Sequence, residues 1–239
     1  MSRRFYDPQT FQLGQTVALS EGPSHHIGKV LRMRAGDHVT VFNGEGGEYA
    51  ATLADVSKRS VSVELLSFSE DNRTPKLNVT LALPLIKGER MDYAIQKGTE
   101  MGARHFHLLQ CERSDVRLNG EREAKKMAHF QQVAISACEQ CGMNIVPTFH
   151  GITALNDFLS ETTADLRLIA HPGLTAITSN TLGSATELTL LTGPEGGFSH
   201  DELEQAAQQD FIPFTLGSRV LRAETAPVAL LSALWALTQ

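Results

Sequence analysis

From about residue 77 onward, short apolar segments alternate with helix-forming segments, and this alternation limits the fold more than any other feature. The spacing predicts strands over residues 77–85, 105–110, 166–170, 188–192 and 211–216. It predicts helices over residues 89–101, 121–141, 201–209 and 226–237. Strands alternating with helices form a mostly parallel sheet with helices on both faces. The sequence therefore predicts an α/β domain.

The first part of the chain follows a different pattern. Strand-length runs at 39–42, 49–53 and 61–66 are separated by turns at 43–47 and 57–60, which predicts a small antiparallel barrel or sheet. A short helix over 24–31, capped by Ser24, is predicted before these strands. The polar segment Ser69–Pro75 has no periodicity and ends in proline, so we place the domain boundary there. The predicted domains are residues 1–74 and 76–239.

Composition narrows the class of protein. The chain carries 21 Lys+Arg against 27 Asp+Glu, so its net charge of −6 does not indicate a polybasic anchor. No apolar run approaches the roughly 18–20 residues of a membrane span, and the first residues lack a signal peptide. Three cysteines do not make a disulfide framework. These features predict a soluble, cytoplasmic protein.

The charge is divided unevenly along the sequence. Residues 1–126 have a balance of +2, whereas residues 127–239 have a balance of −8. The first 34 residues hold five of the Lys and Arg residues against only Asp7 and Glu21. This surface is either an ordinary solvated face or a surface that contacts the phosphates of a nucleic acid.

The strongest local motif runs from Leu190 to Glu202. A predicted strand enters the glycine–proline loop Gly193–Gly197, and Ser199 with Glu202 forms a capping box for the next helix. Open α/β sheets bind ligands at such a position, although a tight turn without a ligand has the same pattern. The loop matches neither a dinucleotide fingerprint nor a nucleoside triphosphate loop.

Two further strand ends carry comparable features. Residues 215–227 join a strand to a helix with Pro227 in its first turn, and they include Arg219, Arg222 and Glu224. This segment is either a second ligand-enclosing loop or the site of a weak surface ion pair. The strand end at Leu168–Gly173 is a candidate for the remaining wall.

The cysteine and histidine residues do not have the spacing of a metal site. Cys138 and Cys141 make a single C-x-x-C pair, whereas structural zinc needs four ligands. We assign this pair to the end of the long helix and expect no metal. His25 and His26 lie together on the predicted short helix, where an ordinary surface position is the simpler interpretation.

These motifs together resemble the SPOUT methyltransferases. The residues that carry the resemblance are Leu191-Thr-Gly-Pro-Glu-Gly-Gly197 and Leu216-Gly-Ser-Arg-Val-Leu-Arg-Ala-Glu-Thr-Ala226. Supporting stretches lie at 25–33, 95–102, 137–142 and 146–147. In order and spacing the sequence is similar over nearly its whole length to the bacterial 16S ribosomal RNA uridine-N3 methyltransferases.

The resemblance implies a PUA-like β-barrel followed by a SPOUT methyltransferase domain with a carboxy-terminal deep trefoil knot. It also implies S-adenosylmethionine as cofactor, a homodimer, and a uridine of the small-subunit ribosomal RNA as substrate, within the assembled subunit. The implied cofactor-binding residues lie on three loops: Leu168, Ala170, His171, Leu191, Thr192, Gly193, Gly196, Gly197, Leu216, Gly217, Ser218, Val220 and Leu221.

The chemistry of uridine suggests roles for two residues. N3 is a weakly acidic imide that becomes nucleophilic when its proton leaves. Glu195 is the candidate for accepting the proton or orienting the base, or it caps loop amides. Arg222 is the candidate that stabilises the anionic ring, or it only braces the knot.

The candidate RNA-binding residues lie in the first domain and share a cationic or imidazole side chain: Arg3, Arg4, His26, Lys29, Arg32 and Arg34. The competing functional class is a non-catalytic RNA-binding assembly factor with a degenerate methyltransferase domain.

Overall fold

The computed structural model describes residues 3–57, 60–171 and 178–238. The chain divides into two compact units. Unit 1 contains Met1–Thr74 and Ile135–Val146, and unit 2 contains Pro75–Ala134 and Pro147–Gln239. Unit 1 is therefore discontinuous in sequence. The predicted bounds, 1–74 and 76–239, place residues 135–146 in the second domain instead.

Unit 1 is built on a five-stranded sheet. Its strands are β1 (Arg3–Tyr6), β2 (Thr16–Ala18), β3 (His38–Phe42), β4 (Glu48–Val56) and β5 (Val61–Ser69). Their order is β1-β3-β4-β5-β2, and all neighbours are antiparallel except the parallel pair β1 and β3. Alternate residues on β3, β4 and β5 are buried, as expected for a sheet with one face in the core. Residues 58 and 59 of the predicted 57–60 turn lie outside the described residues.

The predicted helix cap at Ser24 is wrong. Helix α1 (Glu21–His25) begins three residues earlier, with Ser20 as its N-cap, and continues into a π-helical turn over His26–Val30. Ser24 is buried, and its hydroxyl donates to the Leu19 carbonyl oxygen instead of capping. Pro23 falls in the first turn of the helix, where its missing N–H would have no partner anyway.

A polar network within unit 1 is centred on the carboxylate of Glu48. Arg73 binds both carboxylate oxygens at 2.8 Å, and Arg4 forms an ion pair with the same group. The Asn144 amide donates to Glu48 at 3.1 Å. Burial alone would raise the pKa of Glu48, but these donors outweigh it and lower the pKa to about 2. The network ties residue 144 to the sheet of unit 1.

Unit 2 contains a six-stranded sheet. Its strands are β6 (Asn78–Pro84), β7 (His105–Gln110), β8 (Thr148–Ala154), β9 (Leu166–Ala170), β10 (Glu187–Leu191) and β11 (Ile212–Phe214). The order is β11-β9-β10-β6-β7-β8, and every neighbouring pair is parallel. The predicted parallel α/β domain is confirmed, although β8 was not predicted from the sequence.

The helices connect these strands. They are α2 (Glu89–Glu100), α3 (Gly120–Cys141), α4 (Leu155–Glu161), α5 (Ser179–Leu182), α6 (His200–Gln208) and α7 (Thr225–Thr238). Two apolar clusters cover opposite faces of the sheet. One contains Leu81, Phe106 and Leu190 with residues of α2 and α7, and the other contains Leu109 and Leu191 with residues of α4 and α6. None of the helices described here is long and apolar enough to cross a membrane.

The apolar terminal helix α7 packs into the core of unit 2. Leu230, Leu231 and Leu234 are buried in the same cluster as the sheet residues. The indole N–H of Trp235 donates to the carbonyl oxygen of Met101, which follows α2. The most buried side of α7 is therefore used within its own chain.

The Glu48 network generates a prediction about unit 1. The pKa of Glu48 in the folded protein, about 2, lies below its ordinary 4.5. Its stabilisation is therefore complete above pH 4.5 and is lost as the pH falls towards 2. We expect Glu48→Gln to destabilise unit 1 by roughly 2–4 kcal/mol at pH 7, because Arg4 and Arg73 lose the charged partner that they share. Amide hydrogen exchange of β3 and β4 measures this effect, since the single Trp lies in unit 2.

Glu64→Gln is the matched control, because Glu64 is an exposed residue on β5. We expect that variant to exchange at the wild-type rate. Equal protection in the two variants would show that the network adds nothing to the stability of unit 1.

Candidate active site at the carboxyl edge of the parallel sheet

The topology of unit 2 places one crevice between β10 and β6. From β6 the chain proceeds outward to β7 and β8, whereas β9 and β11 lie on the other side of β10. Ligands bind outside the carboxyl ends of the strands at such a reversal of strand order. The segments that follow β6 and β10 leave the sheet at this point.

The glycine–proline loop follows β10 as predicted. Thr192 donates its N–H to the Ala82 carbonyl oxygen of β6, and its fully buried hydroxyl has no partner within the described structure. The Gly197 N–H donates to the Pro194 carbonyl oxygen at 2.9 Å and closes a tight turn. Gly197 has φ +68°, a conformation that favours glycine.

The predicted capping box at the start of α6 is confirmed. The Ser199 hydroxyl accepts from the Glu202 N–H, and the Glu202 carboxylate accepts from the Ser199 N–H at 2.8 Å. The second oxygen of Glu202 accepts from the Glu112 N–H, also at 2.8 Å. This buried carboxylate therefore joins the segment after β7 to the loop after β10.

The structure pairs Glu195 with Arg90, which is not among the residues predicted from the sequence. Arg90 Nη2 lies 3.0 Å from Glu195 Oε1, and both side chains are partly exposed. Arg90 lies in the first turn of α2, which follows β6, so the ion pair spans the crevice between β6 and β10. Glu195 thus binds a guanidinium, and none of the hydrogen bonds among the described residues has it capping loop amides. The position of Arg90 just beyond a predicted strand end was the available signal.

The loop between β11 and α7 is largely exposed. Leu216, Gly217, Ser218 and Val220 all face solvent, and Val220 is 84% exposed. Thr215 braces the turn, since its hydroxyl donates to the Gly217 carbonyl oxygen at 2.7 Å. The start of this loop is therefore held by a hydrogen bond, whereas the side chains that follow are exposed to solvent.

Arg222 lies at the end of that loop with an exposed side chain. Its carbonyl oxygen accepts from the N–H groups of Thr225 and Ala226 and so starts α7. Within the described structure, its side chain forms no ion pair with Glu195 or Glu224. One carboxylate oxygen of Glu224 is buried and lacks a partner among the described residues.

The third segment predicted to enclose a ligand, the strand end at Leu168–Gly173, is described only in part. Leu168 lies in β9 with a fully buried side chain, and the His171 N–H donates to the Phe214 carbonyl oxygen at 3.0 Å. Leu191 is likewise a core residue of β10. Both leucines can therefore offer a ligand only their backbone. Residues 172–177, including the predicted Gly173, lie outside the described residues.

Arg4 differs from the other candidate RNA-binding residues in its contacts and exposure. The Arg4 guanidinium pairs with Glu48 and lies 4.9 Å from the centre of the Phe42 ring, so we correct its assignment to a structural role. The remaining candidates are exposed: Arg3, His26, Lys29, Arg32 and Arg34. Arg32 has φ +51°, which is unusual for a non-glycine residue.

The cysteines and an unexpected histidine cluster offer no metal site. Cys138 and Cys141 lie in the last turn of α3, and burial raises the pKa of Cys138 to about 12. On β7 and β8 the rings of His107 and His150 stack at 4.3 Å, and burial lowers the pKa of His107 to about 4. Among the residues that the structure describes, no group of three or more His, Cys, Asp or Glu could hold a metal ion.

Comparison with known proteins agrees with this geometry. A family model described as an RNA methyltransferase domain matches residues 72–235, and one described as an RNA methyltransferase PUA domain matches residues 22–66. The chain belongs to the RNA methyltransferase family. The predicted fold class, an α/β methyltransferase domain preceded by a PUA-like domain, is confirmed. The deep knot stays a prediction.

Individual members of the family match over the whole chain. A Bacillus subtilis protein named ribosomal RNA small subunit methyltransferase E is 32% identical, covering 98% of this chain and 96% of the relative. A Legionella pneumophila structure in complex with the bound cofactor SAM has 39% identity and a TM-score of 0.94, covering 99% and 98% of the two chains. A ribosomal RNA small subunit methyltransferase E from Neisseria gonorrhoeae, bound to S-adenosyl methionine, has 33% identity and a TM-score of 0.91 with the same coverage.

The tight turn of the loop yields a prediction about Gly197. Nothing lies within 4 Å of a Cβ at this position, so a substitution there tests the backbone conformation alone. We expect Gly197→Ala to cost about 1 kcal/mol and Gly197→Asn distinctly less, because asparagine tolerates positive φ. Thermal unfolding followed by the fluorescence of Trp235 measures both. An alanine variant as stable as wild type would contradict the assigned turn.

Proposed function

We propose that this protein transfers a methyl group from S-adenosylmethionine to N3 of a uridine in the 16S ribosomal RNA of the small subunit. The observation that carries the proposal is the match over 99% of the chain to two structures with that cofactor bound. The names of the relatives support ribosomal RNA as the substrate. The choice of N3 rests on the sequence resemblance to the uridine-N3 methyltransferases.

The residues at the crevice fit this cofactor. Thr192 has a buried hydroxyl without a partner and Glu224 a buried carboxylate oxygen without one, among the residues described. Polar atoms of this kind normally have partners, so a ligand at this edge would satisfy them. Gly197 leaves open space beside the loop, since nothing lies within 4 Å of a Cβ at that position. The binding groups we propose are the backbone and small side chains of the three predicted loops.

The bound cofactor supplies a methyl group activated by the sulfonium, so the protein needs to position and deprotonate the uridine. Glu195 is held by Arg90 at the crevice, and we assign to its carboxylate the acceptance of the N3 proton. The negative charge then spreads onto O2 and O4 of the ring. Arg222 has an exposed guanidinium without an ion pair within the described chain, and we assign to it the stabilisation of this anion.

The non-catalytic alternative is less well supported. A degenerate domain would not be expected to keep the glycine–proline loop, the capping box and the partnerless Thr192 hydroxyl together at the end of β10. The full-length matches to proteins with bound cofactor also favour an enzyme.

The first unit is proposed to hold the RNA by its phosphates. Arg3, His26, Lys29, Arg32 and Arg34 are all exposed, and phosphate contacts are made by such side chains. We further propose that the substrate is the RNA within the assembled small subunit, in the cytoplasm.

A homodimer completes the proposal. Ile212, Leu216 and Val220 are large apolar residues exposed on and beside the β11–α7 loop. Exposed apolar residues that lie together favour an interface. Sedimentation velocity at micromolar concentration tests the dimer, and a monomer would contradict it.

Two measurements test the proposed activity directly. Calorimetry with S-adenosylmethionine should show saturable binding to the purified chain. Mass mapping of ribosomal RNA nucleosides from a deletion strain should show the loss of one 3-methyluridine and its return with the restored gene. A chain that binds the cofactor but restores no modified uridine would leave the cofactor site intact and overturn the substrate.

Arg222 should act after both substrates have bound. We expect Arg222→Ala to reduce single-turnover methyl transfer by about 10²-fold at saturating RNA and cofactor, with little change in cofactor affinity. Arg219→Ala is the control, because Arg219 is an exposed arginine on the same loop. A normal rate for the Arg222 variant would make that arginine structural.

Arg32 permits a test in which folding is not at risk. Its φ of +51° suits glycine, so Arg32→Gly removes the charge and relieves backbone strain together. We expect this variant to be at least as stable as wild type and to bind small-subunit RNA several-fold more weakly. The slope of log affinity against log salt concentration should also become shallower, by the equivalent of about one phosphate contact.

Filter binding across a salt series measures both effects. Arg34→Ala should act in the same direction, and Glu64→Gln on β5 serves as the neutral control. Unchanged RNA affinity in both arginine variants would mean that this basic face is only solvated.

A further inference from the structure

Arg113 connects two segments at the carboxyl edge of the sheet. It lies between β7 and α3, and its Nη1 donates to the carbonyl oxygens of Gly196 and Phe198, both at 3.2 Å. Strand β6 separates β7 from β10 in the sheet, so Arg113 reaches across one strand to the glycine–proline loop. No motif in the sequence pointed to this residue.

The absence of a side chain at position 196 follows from the same contact. A Cβ on Gly196 would lie 3.1 Å from Arg113 Cβ and 3.5 Å from Arg113 Cδ. Gly196 does not have positive φ, so backbone strain is not the reason for glycine here. Gly197 is thus required by the conformation of the turn, whereas Gly196 is required by the approach of Arg113.

The segment that carries Arg113 is itself fixed. The buried Glu202 carboxylate accepts from the Glu112 N–H, and Ser114 and Cys111 exchange two hydrogen bonds with each other. Arg113 therefore extends from an anchored turn. Its guanidinium meets the loop from a defined position and not as a freely moving surface side chain.

The same loop is also bound by Arg90, which pairs with Glu195. The two arginines bind consecutive residues, Glu195 by its side chain and Gly196 by its carbonyl oxygen. Charge-assisted hydrogen bonds of this kind are stronger than neutral ones and fix geometry. The loop is consequently held at two consecutive residues before any ligand arrives.

We infer that Arg113 is a positioning residue for the cofactor loop: by binding the Gly196 and Phe198 carbonyl oxygens, it holds the glycine–proline loop in the conformation that receives S-adenosylmethionine. The inference rests on the proposed function, since it concerns the same loop. An exposed arginine could instead bind an RNA phosphate. The contacts favour positioning, because Nη1 is already committed to two carbonyl oxygens of the loop.

The test compares Arg113→Ala and Arg113→Lys with the control Arg117→Ala. Arg117 is an exposed cation four residues away on the same segment, and the described residues provide it with no ion pair. Calorimetry with S-adenosylmethionine, without RNA, should show binding at least tenfold weaker for Arg113→Ala. Arg113→Lys should restore part of the affinity, because an ammonium donates to a carbonyl oxygen but lacks the planar fork. The control should bind as wild type does.

Steady-state methylation of small ribosomal subunits provides the second readout. For Arg113→Ala we expect the KM for the cofactor to rise about tenfold while kcat stays within about threefold, because the loop acts in binding. Trp235 fluorescence during thermal unfolding verifies that each variant is folded.

The outcomes separate the inference from the proposed function. If the wild-type protein binds no S-adenosylmethionine, the proposed function fails. If the wild type binds and Arg113→Ala binds equally well, the positioning role is wrong. The latter result together with weaker RNA binding would identify Arg113 as a phosphate contact.

Discussion

The parallel pairing of β10 with β6 is the constraint on which the candidate site depends. Because the two strands run in the same direction, the segments that follow them leave the sheet side by side, one carrying Glu195 and the other Arg90. Ligands bind outside the carboxyl ends of parallel strands at a reversal of strand order such as the one at this pair. The capping box, the partnerless Thr192 hydroxyl and the Arg113 contacts all lie on the segments brought together here.

Two carboxylates play comparable roles, one in each unit. Glu48 gathers two arginines and an asparagine in unit 1, and Glu202 gathers two backbone N–H groups in unit 2. Each ties together segments that are distant in sequence. A buried carboxylate is stable only when such donors surround it, so each position requires its whole set of partners. Charged side chains of this protein therefore stabilise its fold, in addition to those that are candidates for binding a ligand.

The sequence predicted the parts that depend on local pattern. The alternation of strands and helices, the helix ends near residues 101 and 141 and the capping box all follow from periodicity and backbone preference. It missed β8, whose alternation of polar and apolar residues is weak, and it misplaced the start of α1. It assigned Arg4 to RNA because a cation in a basic stretch does not reveal a distant Glu48. Arg90 and Arg113 were missed for the same reason, since their partners come from segments about 80 to 105 residues away.

The discontinuity of unit 1 has a consequence for the order of events during synthesis. The five strands of its sheet are complete by Ser69, but Asn144 and the final turns of α3 are made some seventy residues later. While the ribosome elongates the intervening chain, Glu48 can meet Arg4 and Arg73 but not Asn144, and Phe42 lacks its contacts with Cys138 and Met143. The nascent sheet must therefore wait, with an apolar surface uncovered, for a segment that arrives only after residues 75–134 of the second unit have been translated.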